Sequence, residues 1–220
     1  MRFIVLSVVF AALSTHVYGN SEQPIQCSEE VLSLISALED KDEAVRMQAA
    51  EALGDVSNEE AVTALIHTLH DAKWRVKRNA IISLSKIGSP AAIPALIECL
   101  KDENWIIRSK AVHALGKIGS SIAADAIIQV STDEDESVRK EAIAALGKIR
   151  AEKAIPLLIN ILIHSTKDEG ITFDEDNIPD KYMNLAALSL IEIGTSSTIP
   201  LIRLLSNKNP QVRQYAAYAL

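Results

Sequence analysis

One pattern of apolar and small residues recurs six times along this chain. Each copy contains an alanine, with a valine, isoleucine or tyrosine four positions before it and a leucine four positions after it. The alanines, at intervals of 31, 31, 31, 44 and 30 residues, are Ala49, Ala80, Ala111, Ala142, Ala186 and Ala216. Side chains four apart share one face of a helix. A period of this length predicts one helical unit copied along the chain as a solenoid.

Each copy also predicts a second helix. Glycines follow the leucine position or the next apolar position, and we expect them to end the first helix through left-handed caps; they are Gly54, Gly88, Gly116, Gly119, Gly147 and Gly194. A second apolar stripe follows, as at residues 61–69. Near its start one column holds Pro94, Pro156 and Pro200, where the first turn of a helix tolerates proline. The unit is therefore a helix pair, and the fold class is all-α.

Two polar positions recur in the repeat, one just before each first helix and one near its start. We expect the acids and amides just ahead of these helices to cap free N–H groups; they are Asp40, Asp71, Asp102, Asp133, Asn177 and Asn207. A basic column stands six positions later in five copies, at Arg46, Lys77, Arg108, Arg139 and Arg213. One interpretation is a ladder of acid–base pairs joining adjacent loops, and the other is a cationic row that binds an anion. We favour the ladder, because acids at the same period would neutralise the row.

The chain resembles the HEAT-repeat family, and more narrowly the short bacterial HEAT-like repeats of phycobilin-lyase subunits. The resemblance rests on Asp-x(4)-Val-Arg-x(2)-Ala-x(3)-Leu-Gly-x-Ile-Gly followed by Ala-Ile-Pro-x-Leu-Ile, which Ile107–Gly119 and Ala154–Ile159 match closely. It extends over residues 28–220. It implies a right-handed α-α superhelix of five to six repeats, with a concave face made by the second helices. Family members are mostly binding scaffolds.

Residues 1–19 have the pattern of a secretory signal peptide. Arg2 precedes an apolar run, residues 3–13, and Val17 and Gly19 suit the −3 and −1 positions of a cleavage site. The run is shorter than the ~20 residues of a transmembrane helix. We expect cleavage after Gly19, a polar linker at 20–27, and a periplasmic or secreted protein without stable membrane insertion. A buried first helix or an uncleaved anchor is the alternative.

The net charge excludes one class of partner, and the cysteine spacing excludes a disulfide. The formal net charge is −7 and the pI is near 5.3, which argues against nucleic acid, because such binding needs a basic surface. The two cysteines are Cys27 and Cys99. They fall two repeats apart, and packed helices are separated by ~8–10 Å, so a disulfide cannot join them. We predict two free thiols.

Function in a repeat protein is expected where the copies differ. Trp74 and Trp105 share a column at the start of the first helix, where they form either an exposed anchor for a partner or rings that cover their own loops. The predicted concave row, one residue from each of four second helices, is His67, Glu98, Gln129 and Asn160. His67 and His70 have metal-ligand spacing, but no third ligand is evident, so no metal site is predicted.

Two irregularities concern the insertion and the last copy. The interval of 44 places 13 extra residues in an acidic insertion at 165–181, predicted as a solvated loop. The alternative is a loop that touches a basic partner or holds calcium loosely, although residues 174–177 lack the glycine and glutamate of an EF-hand. The chain ends at Leu220 after a first helix. Either it is truncated, or this end associates with another copy through Tyr215 and Tyr218.

The sequence does not predict an enzyme. It contains no His-Glu dipeptide, which the resemblance implies for the di-iron hydroxylases of the family, and no glycine-rich phosphate loop or cysteine cluster. We expect a non-catalytic protein-interaction scaffold of the cell envelope, with no cofactor and a protein partner of unknown identity. The alternative is a lyase-like accessory subunit that acts on a chromophore or cofactor.

Overall fold

The computed structural model describes residues 26–164 and 180–220, and every regular element within these ranges is helical. The α-helices in them are α1 Gln26–Ala37, α2 Glu43–Leu53, α3 Glu59–Thr68, α4 Trp74–Ile87, α5 Ile93–Cys99, α6 Trp105–Ile118, α7 Ala124–Val130, α8 Glu136–Lys148, α9 Ile155–His164, α10 Asp180–Ile193, α11 Thr198–Leu204 and α12 Pro210–Ala219. The predicted signal peptide and nearly all of the acidic insertion lie outside the described residues.

First and second helices alternate along the chain, as the repeat predicts. The even-numbered helices carry the alanine pattern, and the odd-numbered helices are the second helices. Short 3-10 turns precede four of the second helices, at Pro90–Ala92, Ser121–Ala123, Glu152–Ala154 and Thr195–Ser197. The predicted all-α fold of helix pairs is confirmed for the part of the chain described.

The described part of the chain divides into two compact units, residues 26–114 in the first and residues 115–164 and 180–220 in the second. In the first unit, α1 packs against α2 and α3, and α4 packs against the same two helices. In the second unit, α8 packs against α7 and α10, and α12 packs against α10 and α11. Within a unit, a first helix therefore contacts the neighbouring first helix and the second helix of the preceding copy.

The alanine and leucine columns form the core. All six alanines of the pattern are at most 1% exposed, and the leucines that follow the first five are fully buried. Burying a leucine side chain contributes about 1.5–3 kcal/mol, and the small alanine lets a neighbouring helix approach. The columns that predict the helices are thus also those that stabilise the packing.

The glycines fall into two groups with different physical reasons. Gly88, Gly119 and Gly194 follow their helices with positive φ of 73°, 80° and 85°. Gly88, with ψ 18°, is the predicted left-handed cap, whereas Gly194 has ψ −141° and lies in another conformation that favours glycine. The prediction is wrong for the other three, since Gly116 and Gly147 lie inside helices and Gly54 has φ −66°. A Cβ on any of these three would come within 3.0 Å of a side chain on the neighbouring first helix. Glycine permits close packing there.

The acidic column ahead of the first helices is not the helix cap itself. Asp42 and Asp135 are the N-cap residues of α2 and α8, and their side chains accept hydrogen bonds from Ala44 N and Ser137 N. The predicted column stands two residues earlier: Asp40 accepts from Asp42 N at 2.8 Å, and Asp133 accepts from Asp135 N at 2.9 Å. These side chains therefore fix the loop, and the predicted cap position is wrong by two residues.

The last second helix begins one residue early. α5 starts five residues after Gly88, whereas α11 starts four residues after Gly194. As a result Pro94 and Pro156 occupy the second position of their helices, but Pro200 occupies the third. All three prolines therefore lie in the first turn, as predicted, with Pro200 one position later in its helix. The earlier start of α11 is consistent with the final interval of 30 residues.

Candidate functional site

Arg46 and Lys77 of the basic column form hydrogen bonds and ion pairs that join neighbouring loops. Arg46 Nε and Nη2 donate to the two carboxylate oxygens of Asp71 at 2.7 and 3.1 Å, and Nη1 donates to Asp40 O at 2.8 Å. One copy later, Lys77 Nζ lies 2.6 Å from Asp102 Oδ2. The predicted ladder of acid–base pairs is confirmed at these two steps of the first unit.

Electrostatics keep the Arg46–Asp71 pair ionised. The hydrogen bond to Asp71 raises the pKa of Arg46 above its ordinary value, against the effect of burial. Burial of Asp71 opposes its ionisation, but hydrogen bonds from Arg46 and from Lys73 N outweigh it and lower the pKa of the carboxyl group. Both side chains are mostly buried. An arginine engaged in this way supports the structure and is not available to bind an anion.

The two tryptophans differ in exposure. Both begin first helices of the first unit, Trp74 in α4 and Trp105 in α6. Trp105 is 45% exposed. Trp74 is half-buried, and the guanidinium carbons of Arg75 and Arg78 lie 4.9 and 5.6 Å from its ring centroid. The predicted exposure is therefore found for Trp105, whereas the Trp74 ring contacts arginines of its own helix; the role of either residue as an anchor stays a prediction.

The predicted concave row is exposed in both units. His67 on α3 and Glu98 on α5, in the first unit, stand at equivalent positions of the repeat. Gln129 on α7 and Asn160 on α9 stand at the same repeat position in the second unit. Glu98 pairs with Lys101 at 3.3 Å on the surface. No group of three side chains suited to hold a metal occurs in the described ranges. Each unit thus exposes two of the four residues on successive second helices, and their role remains a prediction.

A groove that the sequence analysis missed lies between α1 and α3. Its walls in the first unit are Ile35, Glu59, Glu60, Thr63, Ala64 and His67. The helices of this unit that follow the second-helix pattern each present a half-buried isoleucine, at Ile35, Ile66 and Ile97. These isoleucines are 31 residues apart, and Ile66 directly precedes His67. This spacing in the sequence could have indicated an apolar row.

Cys99 has the properties of a core residue. It is a buried free cysteine, and burial raises the pKa of its thiol to about 11. The thiol is therefore protonated near neutral pH and is a poor nucleophile, since the thiolate is the reactive form. The side chain of Cys27 lies outside what the structure describes.

The tyrosines predicted as end contacts lie on α12 in different environments. Tyr218 is 59% exposed, whereas Tyr215 is half-buried. The residues that stand at the Tyr218 position in earlier copies include Ile82 and Leu188, and both of these are also exposed. Exposure of Tyr218 is therefore usual for its position in the repeat.

None of the described helices alone has the length and apolar character to cross a membrane. The adjoining α10 and α11 region meets both requirements only when two helices that bend by 120° are taken together.

Comparison with known sequences identifies the family. The family model for HEAT repeats matches residues 31–114 and 93–171, which together span more than half of the chain. This chain belongs to the HEAT-repeat family. No curated protein matches it significantly.

Solved structures show the same fold. The complex of CpcE and CpcF of phycocyanin lyase from Nostoc sp. PCC7120 has 24% identity, covers 91% of this chain and 77% of its own, and has a TM-score of 0.60. Escherichia coli YibA is 22% identical; the match covers 98% of this chain and 81% of YibA, with a TM-score of 0.61. A designed armadillo repeat protein is 18% identical; the match covers 86% of this chain and 98% of the designed protein, with a TM-score of 0.55. These similarities establish a HEAT- and armadillo-like helical solenoid.

Proposed function

We propose that this HEAT-repeat chain is a non-catalytic scaffold that binds a protein partner and is exported to the periplasm or secreted. The observation that carries the proposal is the exposure of the same repeat position on successive second helices within each unit, at His67 and Glu98 in the first and at Gln129 and Asn160 in the second. The helical positions repeat, whereas the side chains at them differ. Within a unit, such a pair suits a partner that contacts more than one repeat.

The buried polar groups are used within the fold. In the described residues, no buried side-chain nitrogen or oxygen lacks a hydrogen-bond partner. Arg46 and Asp71, whose pKa values are shifted, pair with each other, and the raised pKa of Cys99 makes its thiol less reactive.

Trp105, at the start of α6, is proposed as an anchor for the partner. It is one of the large apolar side chains exposed in the first unit. Aromatic side chains of this kind supply much of the energy at protein interfaces. Trp74, with Arg75 and Arg78 beside its ring, is proposed as a second contact.

Affinity purification from the native envelope fraction tests the scaffold. A His67→Ala/Glu98→Ala variant should lose a partner that the wild type retains, with an unchanged circular dichroism spectrum. Glu51→Ala/Glu103→Ala is the matched control, because both residues are exposed in the same unit but outside the second helices. Equal recovery of the partner with the two variants would count against the proposal. For export, the intact mass of the envelope protein should correspond to a chain beginning at Asn20.

A second candidate is a lyase-like accessory subunit that acts on a chromophore or cofactor. The similarity to the CpcE–CpcF structure of phycocyanin lyase favours this alternative. Co-expression with candidate pigments distinguishes the two functions. A visible absorbance band that co-purifies with the chain in stoichiometric amount would favour the accessory subunit over the scaffold.

A further inference from the structure

We infer that the groove between α1 and α3 binds a basic amphipathic helix of the partner. This inference rests on the proposed scaffold function and specifies the chemistry of its ligand. The groove, called the acidic groove below, is lined by Ile35, Glu59, Glu60, Thr63, Ala64 and His67. It combines an apolar floor with carboxylates in the first turn of α3 that form no ion pair within the described residues.

The second helices of the first unit are uniformly acidic. α1, α3 and α5 contain five glutamates and neither lysine nor arginine. The five are Glu29, Glu30, Glu59, Glu60 and Glu98. Glu59 and Glu60 are exposed at the groove, and no ion pair to either is present in the described part of the chain. Clustered charge of one sign attracts a partner of the opposite sign.

The basic residues of the neighbouring first helix do not neutralise these carboxylates. α4 contains four lysines and arginines and no acidic residue. Lys77 pairs with Asp102, Lys86 with Asp55, and Arg75 lies 3.8 Å from Glu43. Arg78 stacks on Trp74. Each of these cations is occupied by a group outside the acidic groove, so the groove keeps its negative charge.

The apolar part of the surface has a spacing that suits a helix. Ile35, Ile66 and Ile97 lie on successive second helices, each half-buried. Packed helices are ~8–10 Å apart, and residues seven apart on a helix are separated by ~10 Å. A partner helix that crosses α1 and α3 can therefore place apolar residues at i and i+7 on two isoleucines, with lysine or arginine beside them. This is the helix-in-groove mode of recognition.

Two labelled peptides test the inference on the purified full chain. Each has about 20 residues, a length that supports a helix, with leucine at i, i+7 and i+14; one carries lysine at its polar positions and the other glutamate. Fluorescence anisotropy should show binding of the lysine peptide, with the glutamate peptide at least tenfold weaker. Added salt should weaken the binding, because exposed charges are screened. Equal affinity for both peptides would overturn the inference.

Substitutions locate the binding. Glu59→Gln/Glu60→Gln should raise the Kd for the lysine peptide by about fivefold or more, since each exposed pair is worth up to ~1 kcal/mol. Glu51→Gln/Glu103→Gln removes the same charge elsewhere in the unit and should leave the Kd within about twofold. Equal losses in the two variants would reveal non-specific attraction and reject the groove.

A second measurement does not depend on the stability of variants. In amide NMR spectra of the wild type, the lysine peptide should shift Thr63 and Ala64 more than residues of α2 and α4. Shifts confined to first helices would contradict the inference. If the peptide fails but the native partner still depends on His67 and Glu98, only the acidic groove is rejected. Loss of that dependence as well would reject the scaffold function itself.

Discussion

Gly147 on α8 and Ser189 on α10 meet at a close approach of two first helices in the second unit. A Cβ on Gly147 would lie 2.7 Å from Ser189 Cα. The Ser189 hydroxyl lies 2.9 Å from Ile143 O on α8, within hydrogen-bond distance. Gly54 and Ser83 stand in the same relationship in the first unit, where a Cβ would meet Ser83 Oγ at 2.6 Å. The small residues of the repeat thus set the spacing of its first helices.

Gly147→Ala should therefore destabilise the protein. Overpacking costs about 1–3 kcal/mol, partly offset by the ~1 kcal/mol advantage of alanine over glycine inside a helix. We expect a net loss of about 1 kcal/mol in the free energy of unfolding, measured by urea denaturation. Ser189→Ala serves as the control, since it removes the hydrogen bond without adding volume. A Gly147→Ala variant as stable as the wild type would show that the helices separate without cost.

Arg150→Gly should stabilise the protein. Arg150 has φ 51° and stands 31 residues after Gly119, at the position where other copies end the first helix with a left-handed glycine. A residue with a side chain is strained there by about 1–2 kcal/mol, whereas glycine loses some 0.5–1 kcal/mol of backbone entropy. A net gain of about 0.5–1 kcal/mol is expected in urea denaturation. Arg150→Ala keeps the strain, so equal stability of the alanine and glycine variants would disprove this explanation.

The repeat predicts the core because burial requires apolar side chains at fixed positions of a helix. Ala111 and Leu115 could be placed on one buried stripe from their spacing alone. The two kinds of glycine could not be separated in this way. Gly116 and Gly119 lie three apart near the same helix end, and only the distance to Ala145 on the neighbouring helix shows that the first is a contact.

The candidate site was predictable only in part. The column through His67 and Glu98 follows from the period, and both side chains are exposed as a surface row requires. The acidic groove depends on Ile35 and Glu59 meeting across two helices, which their separation of 24 residues does not reveal. Likewise, the half-burial of Trp74 depends on Arg75 and Arg78 folding over the ring.

Asp71→Asn should remove a contribution to stability that depends on pH. The pKa of Asp71 is lower in the folded protein than its ordinary value of 3.8, so its contribution is present above that value and is lost as pH falls below it. At neutral pH the variant should lose about 1–3 kcal/mol, because Arg46 loses a charged hydrogen-bond partner. In denaturant titrations near pH 2 the difference from wild type should shrink.

The exposed Glu98–Lys101 pair is the matched comparison for Asp71. Both side chains are largely exposed, and such pairs contribute ~0–1 kcal/mol. Glu98→Gln should therefore change stability little at either pH. A pH-independent loss in Asp71→Asn would mean that the carboxylate charge is not what stabilises the loop.

Trp105 should be the more accessible of the two tryptophans. Trp74→Phe leaves Trp105 as the single tryptophan, and Trp105→Phe leaves Trp74. Because Trp105 is 45% exposed and Trp74 is half-buried beside two guanidinium groups, we expect acrylamide to quench Trp105 more strongly. Iodide should quench Trp74 better than its accessibility alone implies, since the cations attract the anion. If the native partner binds through Trp105, its addition should protect that residue from acrylamide while quenching of Trp74 changes little. Equal protection of both residues would instead place the partner across α4 and α6, with Trp105 no longer the distinct anchor.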